Sequence, residues 1–407
     1  MNTTAPAGAT PAARVYAIAS GIFILAAPVT GSPGWRVTAL ILAALALAVS
    51  VFRREAPVVP FAWPRAFVAW YGAWAAFAAL SFLWSGSLDY SMSEWRREIL
   101  YGALAFAVFY VGTADAQRWR QACLLLMAGA VTLAMAEGAR SAFAWGTREF
   151  HGGPGRFSTH LVMVVPLVVC LLSEPPLGFG RRVGWAAGVL GVAFAAAFVS
   201  SNRIVWMAFL AAFVVLALFA RPERPRSARR TALAAGLVAA LLVLFALSIE
   251  HKAREFYPQL GSSGSIAHDL RPRFWALATE AATERPLLGH GYGHEILADR
   301  YRAAMGPRDA EFATHGHNMF LDAAVSLGVT GLGILVAMFA TLALAYRRYL
   351  SHPPTRLLGA IGLAVLAAFV VKNLTDDFFV RQNALVFWAV NGMLLGLGER
   401  LYAKRSP

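Results

Sequence analysis

Residues 271–293 read RPRFWALATEAATERPLLGHGYG, and residues 314–331 read THGHNMFLDAAVSLGVTG. Pro272 suits the first turn of a helix, where its missing N–H would have had no partner. On that helix Arg273 and Leu277 stand at i and i+4, on one face. Leu277 anchors the face and Arg273 projects beyond it. In the second segment His317-Asn318 is followed by nine residues and then Gly328-x-x-Gly331. That spacing is close to three helical turns, so Gly328 is expected under His317, roughly 16 Å deeper along the axis. The apolar run after Asn318 predicts a membrane span with His317 at its lip. Below it would lie a seam of small residues where another helix can approach closely.

Outward from this stretch, composition sets the class. Hydrophobic residues make up 58% of the chain and charged residues only 14%, which excludes an ordinary soluble domain. Apolar runs long enough, or nearly so, to cross a bilayer lie at about 14–31, 36–52, 66–84, 98–112, 119–138, 157–173, 183–200, 203–220, 231–250, 318–346, 357–372 and 383–398. The fold expected is an all-α polytopic membrane protein. It has about 12 transmembrane helices and one large periplasmic loop domain between spans 9 and 10. Residues 1–250 form the bundle of spans 1–9, residues 251–317 a partly helical loop domain, and residues 318–407 spans 10–12 and a short cytoplasmic tail. The fourth run is short and borrows flanking residues. Only Arg14 precedes the first run, and a second follows at once, so it reads as a retained span rather than a cleaved signal. Residues 1–13 are rich in Ala, Thr and Pro and read as unstructured.

Orientation follows from the basic residues. With both termini in the cytoplasm, the inner loops hold Arg53, Arg54, Arg65, Arg118, Arg120, Arg181, Arg182 and the arginines between Arg221 and Arg230. The positive-inside rule is then met. The whole net charge of +14 falls on that face, and acids and bases balance on the other. The basic character therefore reflects membrane topology, and no nucleic-acid motif accompanies it. Cys123 and Cys170 both fall within spans, so the external segment is not built on disulfides.

Several polar residues lie on the outer side in this topology. Arg156 ends the glycine-rich loop 139–156 at the mouth of span 6. Arg203 is pinned in the very short hairpin 200–203 between spans 7 and 8. Both read as candidate anion-binding residues beside Arg273. Arg96 and Arg97 read as interfacial anchors that reach the headgroups. Asp322 falls about one turn inside span 10, and Asp376-Asp377 stand between spans 11 and 12. Gly289-x-Gly291-x-Gly293 has no preceding strand and no following Lys-Ser/Thr, so it reads as a turn packed on the membrane surface rather than a phosphate loop. His290, His294, His315 and His317 are close in sequence. No cysteine or His-Glu-x-x-His accompanies them, and Gly291 and Gly293 spoil a helical ligand pair, so no metal is assigned.

The Arg273-x-x-x-Leu277 motif and His317-Asn318 with its Gly328-x-x-Gly331, standing in and beside a large outer loop, resemble the O-antigen ligases. These belong to the wider O-antigen ligase/polymerase family of bacterial membrane proteins. The motifs cover about 20 residues, and the pattern of spans extends the resemblance over nearly the whole chain. It implies an inner-membrane glycosyltransferase with its active site facing the periplasm. The donor would be undecaprenyl-diphosphate-linked O-antigen and the acceptor lipid A–core, with membrane lipids around the chain and no nucleic acid.

The residues fit such chemistry. Arginine is always charged and grips phosphate with two hydrogen bonds. Arg156, Arg203 and Arg273 converging at the outer interface would hold a diphosphate and neutralise it as a leaving group without a cofactor. His317 is suited to accept the proton of an attacking sugar hydroxyl, in one displacement that inverts the anomeric centre. His315, Asn318, Asp322 and Asp376 are its candidate supports. An O-antigen polymerase or a protein O-oligosaccharyltransferase would use the same donor. An anion transporter would instead line a path with these arginines, but the cations gather at one face and no repeat is visible.

Overall fold

The computed structural model describes residues 10–29, 32–53, 64–113, 116–142, 154–173, 178–200, 202–220, 228–256, 269–305, 310 and 313–403. Among them the regular structure is helical. In chain order the helices are α1 (Pro11–Ala26), α2 (Pro33–Phe52), α3 (Arg65–Leu80), α4 (Leu88–Glu94), α5 (Tyr101–Gly112), α6 (Ala116–Ala142), α7 (Pro154–Val164), α8 (Val169–Ser173), α9 (Phe179–Val199), α10 (Ile204–Phe219), α11 (Ala228–Phe256), α12 (Arg271–Glu284), α13 (Ala298–Ala304), α14 (Met319–Leu350), α15 (Pro353–Lys372) and α16 (Arg381–Ala403). Each apolar run read from the sequence overlaps a helix among the described residues.

Eight helices among the described residues are long and apolar enough to cross a bilayer: 33–52, 65–83, 117–136, 180–199, 235–254, 319–350, 353–372 and 381–403. Three shorter apolar helices cover 11–26, 155–168 and 204–219. The fourth run does borrow flanking residues. α4 runs into α5 through a π-helical turn at Trp95–Leu100, which gives one continuous helical rod. The first helix begins at Pro11, earlier than its apolar run. Thr10 accepts a hydrogen bond from the Ala13 amide (3.2 Å) and Pro11 stands at the first position, so cap chemistry overrides composition there. Residues 1–9 lie outside the described set. The run 157–173 is broken by a 3₁₀ turn at Val165–Val168. Pro166 lies within it and cannot donate to the helical ladder.

The core is assembled around α5, α14, α15 and α16. α16 and α5 approach backbone to backbone. A Cβ added at Gly392 would stand 2.4 Å from the Phe106 carbonyl oxygen, and one at Gly396 2.2 Å from that of Tyr110. This Gly-x-x-x-Gly seam serves the helix contact that the sequence reading had assigned to Gly328 and Gly331. Large apolar side chains on α1, α2 and α11, such as Ile18, Leu45 and Val243, are exposed, as a lipid-facing belt requires.

A second, smaller core lies at one end of the bundle. Phe274, Ala278 and Ala281 of α12 pack with Tyr301, Met305 and Ala313, and also with Val325 of α14. The segment after α11 therefore shares its core with a membrane helix. Residues 257–268, including the Gly/Ser stretch, lie outside the described set.

Candidate functional site

The site forms where the start of α14 meets the turn between α15 and α16. Asn318 caps α14. Its side-chain oxygen accepts from the amides of Phe320 (2.9 Å) and Leu321 (3.2 Å), which satisfies two donors a helix start leaves open. Its Nδ2 donates to the Leu374 carbonyl at 2.8 Å. The Met319 amide donates to the Asn373 carbonyl at 3.1 Å. These bonds bind the 373–380 turn to the helix start and bring together residues 59 apart in the chain: His317 Nδ1 lies 3.1 Å from Asp376 Oδ1.

His317 has φ of +51°, a left-handed conformation uncommon outside glycine. Around it, the Trp275 indole N–H donates to its carbonyl (3.4 Å), and the Phe274 ring lies 4.7 Å from the imidazole. Both aromatics come from α12, the helix of the Arg-x-x-x-Leu motif. Asp322 accepts from the Gly316 amide at 2.7 Å, which sets the turn between the two histidines. His315 stacks on His317 with centroids 4.0 Å apart, and its Nε2 is 3.7 Å from the same Asp376 oxygen.

Electrostatics define the pair. Burial pushes the Asp376 carboxyl up, but the adjacent His315 ring, the hydrogen bond from His317 and the nearby Lys372 ammonium outweigh it and hold the group well below the usual carboxylate range. An ionised carboxylate only accepts, so the His317 proton sits on Nδ1 and the basic lone pair on Nε2. Burial, and then the neighbouring His317, push His315 down to about 4 from its ordinary 6.5.

A pH prediction follows from His315. Its folded pKa lies below its unfolded value, so the unfolded chain takes up this proton first on acidification. Stability is therefore lost as pH falls from about 6.5 towards 4, by up to about 3 kcal/mol. Thermal unfolding of the detergent-solubilised protein should drop over this window. His315→Gln should show a shallower fall, and an equally steep fall would refute the assignment.

The arginines divide. Arg203 forms an ion pair with Asp269 at 2.9 Å. Asp269 also binds Arg271 through its side chain (3.0 Å) and backbone amide (3.1 Å). Arg271 Nε in turn donates to the Thr375 carbonyl at 2.6 Å, one residue before Asp376. Arg203 is thus wired to the His317 turn through Arg271, which the sequence reading did not single out. Arg273 is exposed on α12, with Nη2 3.5 Å from the Ala304 carbonyl. Arg156 faces Arg381, Glu295 and Glu94, and its carbonyl accepts from Asn383 Nδ2 (3.3 Å). No contact among the described residues joins Arg156 or Arg273 to Arg203.

A buried charge cluster adjoins this site. Arg381 donates from Nε to Glu94 (3.3 Å) and from its backbone to Glu98 (3.1 Å). The Tyr292 hydroxyl donates to Glu98 at 2.8 Å. Arg97, read as a headgroup anchor, is half-exposed and paired with Glu94 at 3.0 Å. The spacing of Glu94 and Glu98 at i and i+4, entering an apolar run, was the available signal. Donor atoms of Glu94, Glu98 and His294 lie within 4.8 Å of one another, as do those of His315, His317 and Asp376. The first set has the mixed nitrogen and oxygen character of a divalent-ion site, but its carboxylates are already engaged by Arg97, Arg381 and Tyr292. The second set is bonded within itself.

The glycine loop proves to be a packing turn. Gly289, Gly291 and Gly293 all have positive φ. The amides of His290 and Gly291 donate to the carbonyls of Val325 and Ser326, each at 2.9 Å, so they are not available to a phosphate. Those carbonyls are open because Gly328 breaks α14, with φ 67° and ψ −172°. Val329 N then donates to the Pro286 carbonyl at 2.7 Å. The spacing from His317 to Gly328 therefore runs from a helix cap to a helix break. A loop backbone docks there, where a helix had been expected.

A family model described as O-antigen ligase matches residues 186–336. Over that region the chain is similar to the O-antigen ligase family. The matched segment of this O-antigen ligase domain runs from α9 into α14 and contains Arg203, Arg271, Arg273, His315, His317 and Asp322. Asp376, Arg156, Glu94 and Glu98 lie outside it. The family matched there is of the O-antigen ligase or polymerase type. No curated relative matches the chain.

Proposed function

We propose that the protein is an O-antigen ligase. It moves O-antigen polysaccharide from undecaprenyl diphosphate to a sugar of the lipid A–core on the periplasmic face of the inner membrane. The observation that carries this reading is the 3.1 Å contact of His317 Nδ1 with Asp376, on a turn that Arg271 ties to Arg203. A base and a set of fixed cations at one membrane face are what a hydroxyl attack on a lipid diphosphate needs.

The acceptor hydroxyl gives its proton to His317 Nε2 as its oxygen bonds to the anomeric carbon. The bond from that carbon to the diphosphate oxygen breaks, and the configuration inverts. Undecaprenyl diphosphate departs with the electron pair, and arginine charge stabilises it. Asp376 holds the imidazolium until the proton passes to water. Arg203 and Arg271 are the diphosphate ligands nearest this base, and Arg156 and Arg273 would contact more distant parts of the substrates. No cofactor or metal is required by these steps.

The test is a reconstituted assay with polyprenyl-diphosphate-linked glycan and lipid A–core, with and without chelator. Transfer should persist in chelator. Arg203→Ala should lower kcat/KM for the donor by about tenfold to a hundredfold. If glycan instead lengthens on its carrier, the protein is a polymerase. If Arg203→Ala transfers as the wild type does, the diphosphate assignment fails.

A further inference from the structure

Lys372 ends α15 with its side chain fully buried. Its Nζ has no hydrogen-bond partner among the described residues. A buried ammonium is costly unless an anion lies near. The turn after α15 folds back over it. The Phe378 ring centroid lies 4.6 Å from Nζ, and the Phe378 amide donates to Asn373 Oδ1 at 2.7 Å to close the turn. The same ring packs on Gly155, where an added Cβ would stand 2.1 Å from it, so it cannot swing away. The ammonium is therefore enclosed beneath the turn that carries Asp376. Asp376 is the foremost charge in its surroundings, followed by Arg271.

We propose that Lys372 is a positioning residue, a buried counter-cation that keeps Asp376 an anionic acceptor for the Nδ1–H of His317. This rests on the proposed transferase reading. The charged groups around Asp376 are His315 and His317 before α14, Lys372 on α15, Lys252 on α11, and Asp322 and Asp377. The two neighbouring acids oppose its ionisation. The histidines cannot be fixed counter-charges, because His317 gains and loses its proton in each turnover. Lys252 stands in the field of Arg271, Arg203 and Asp269 as well as that of Asp376. If Asp376 took up a proton, it would donate to Nδ1. The ring proton would move to Nε2, and the lone pair that activates the acceptor would be lost.

The experiment compares kcat against pH for wild type, Lys372→Met, Lys372→Arg, Asp376→Asn and the Lys372→Met/Asp376→Asn double variant, with His317→Ala as control. Lys372→Met should lower kcat at pH 7 by about tenfold or more with little change in donor KM, and move the acid limb up by about one pH unit. Lys372→Arg should restore both, and Lys372→Met should add no loss to Asp376→Asn. An unchanged kcat and acid limb in Lys372→Met overturns the proposal, as do losses that multiply in the double variant. If Lys372→Met alone fails to accumulate in the membrane, the double variant should restore accumulation by removing the orphaned charge. Failure to do so also overturns it. A His317→Ala enzyme that transfers normally refutes the transferase mechanism itself, whatever Lys372 does.

Discussion

Alanine in place of His317 is expected to lower transfer by about 10²–10⁴-fold, and asparagine in place of Asp376 by nearly as much. The two losses have one origin. Asp376 Oδ1 receives the Nδ1 proton of His317 at 3.1 Å, which places the lone pair on Nε2. Asparagine keeps the volume of the side chain but presents either an amide donor or a neutral acceptor, so the imidazole is no longer held in one tautomer. Asn318 and Asp322 keep the backbone of the His317 turn in place through independent bonds. His317→Ala should therefore remain in the membrane at wild-type levels, whereas Asp376→Asn leaves the buried Lys372 ammonium without its anion and should lower abundance, so rates are taken per molecule of protein present. The single and double variants should be equally impaired, since both remove the same base. Single-turnover rates of transfer from the lipid-linked donor check this. An Asp376→Asn enzyme within a few-fold of wild type would show that His317 works without its carboxylate.

Gly328→Ala is expected to destabilise the protein by more than about 3 kcal/mol. At φ 67° and ψ −172° the residue occupies a region essentially closed to side chains. A Cβ there would also stand 2.3 Å from the Leu287 carbonyl carbon, and backbone cannot yield as a side-chain tip can. Gly289 faces it from the other side, with φ 68° and a Cβ position 2.4 Å from the carbonyl carbon of Ser326. Gly289→Ala should be comparably harmful. Gly333 is the control. It lies on the same helix with nothing within 4 Å of its Cβ position, and Gly333→Ala should be neutral or stabilise by up to about 1 kcal/mol. Thermal unfolding in detergent and abundance in the membrane read all three. Equal behaviour of Gly328→Ala and Gly333→Ala would contradict the close backbone contact.

What was legible in the sequence follows from range. Runs such as 36–52 and 357–372 announce helices because bilayer thickness acts locally, on consecutive residues. Asn318 was legible as part of a motif, and as a cap it acts on its own next turn. His315, His317 and Asp376 were named as candidates and lie side by side, while Asp322 reaches the Gly316 amide between the two histidines. Arg271 was passed over in favour of Arg273, two residues on. Which one turns towards the site depends on Asp269 and Thr375, and Thr375 lies 104 residues away. Glu94 and Glu98 were overlooked for the same reason, since their partner Arg381 is more than 280 residues distant. Gly328 was recognised but misread. A glycine in an apolar run serves equally for helix contact or helix break, and only the docking of residues 286–291 decides between them.

The small outer core and the backbone bonds at the Gly328 break have a bearing on how such proteins diversify. Val325 is at once a membrane-helix residue and a core residue of the outer segment, and its carbonyl receives the His290 amide. A recombination crossover between α11 and His317 would bring a foreign outer segment without the seat it is fitted to.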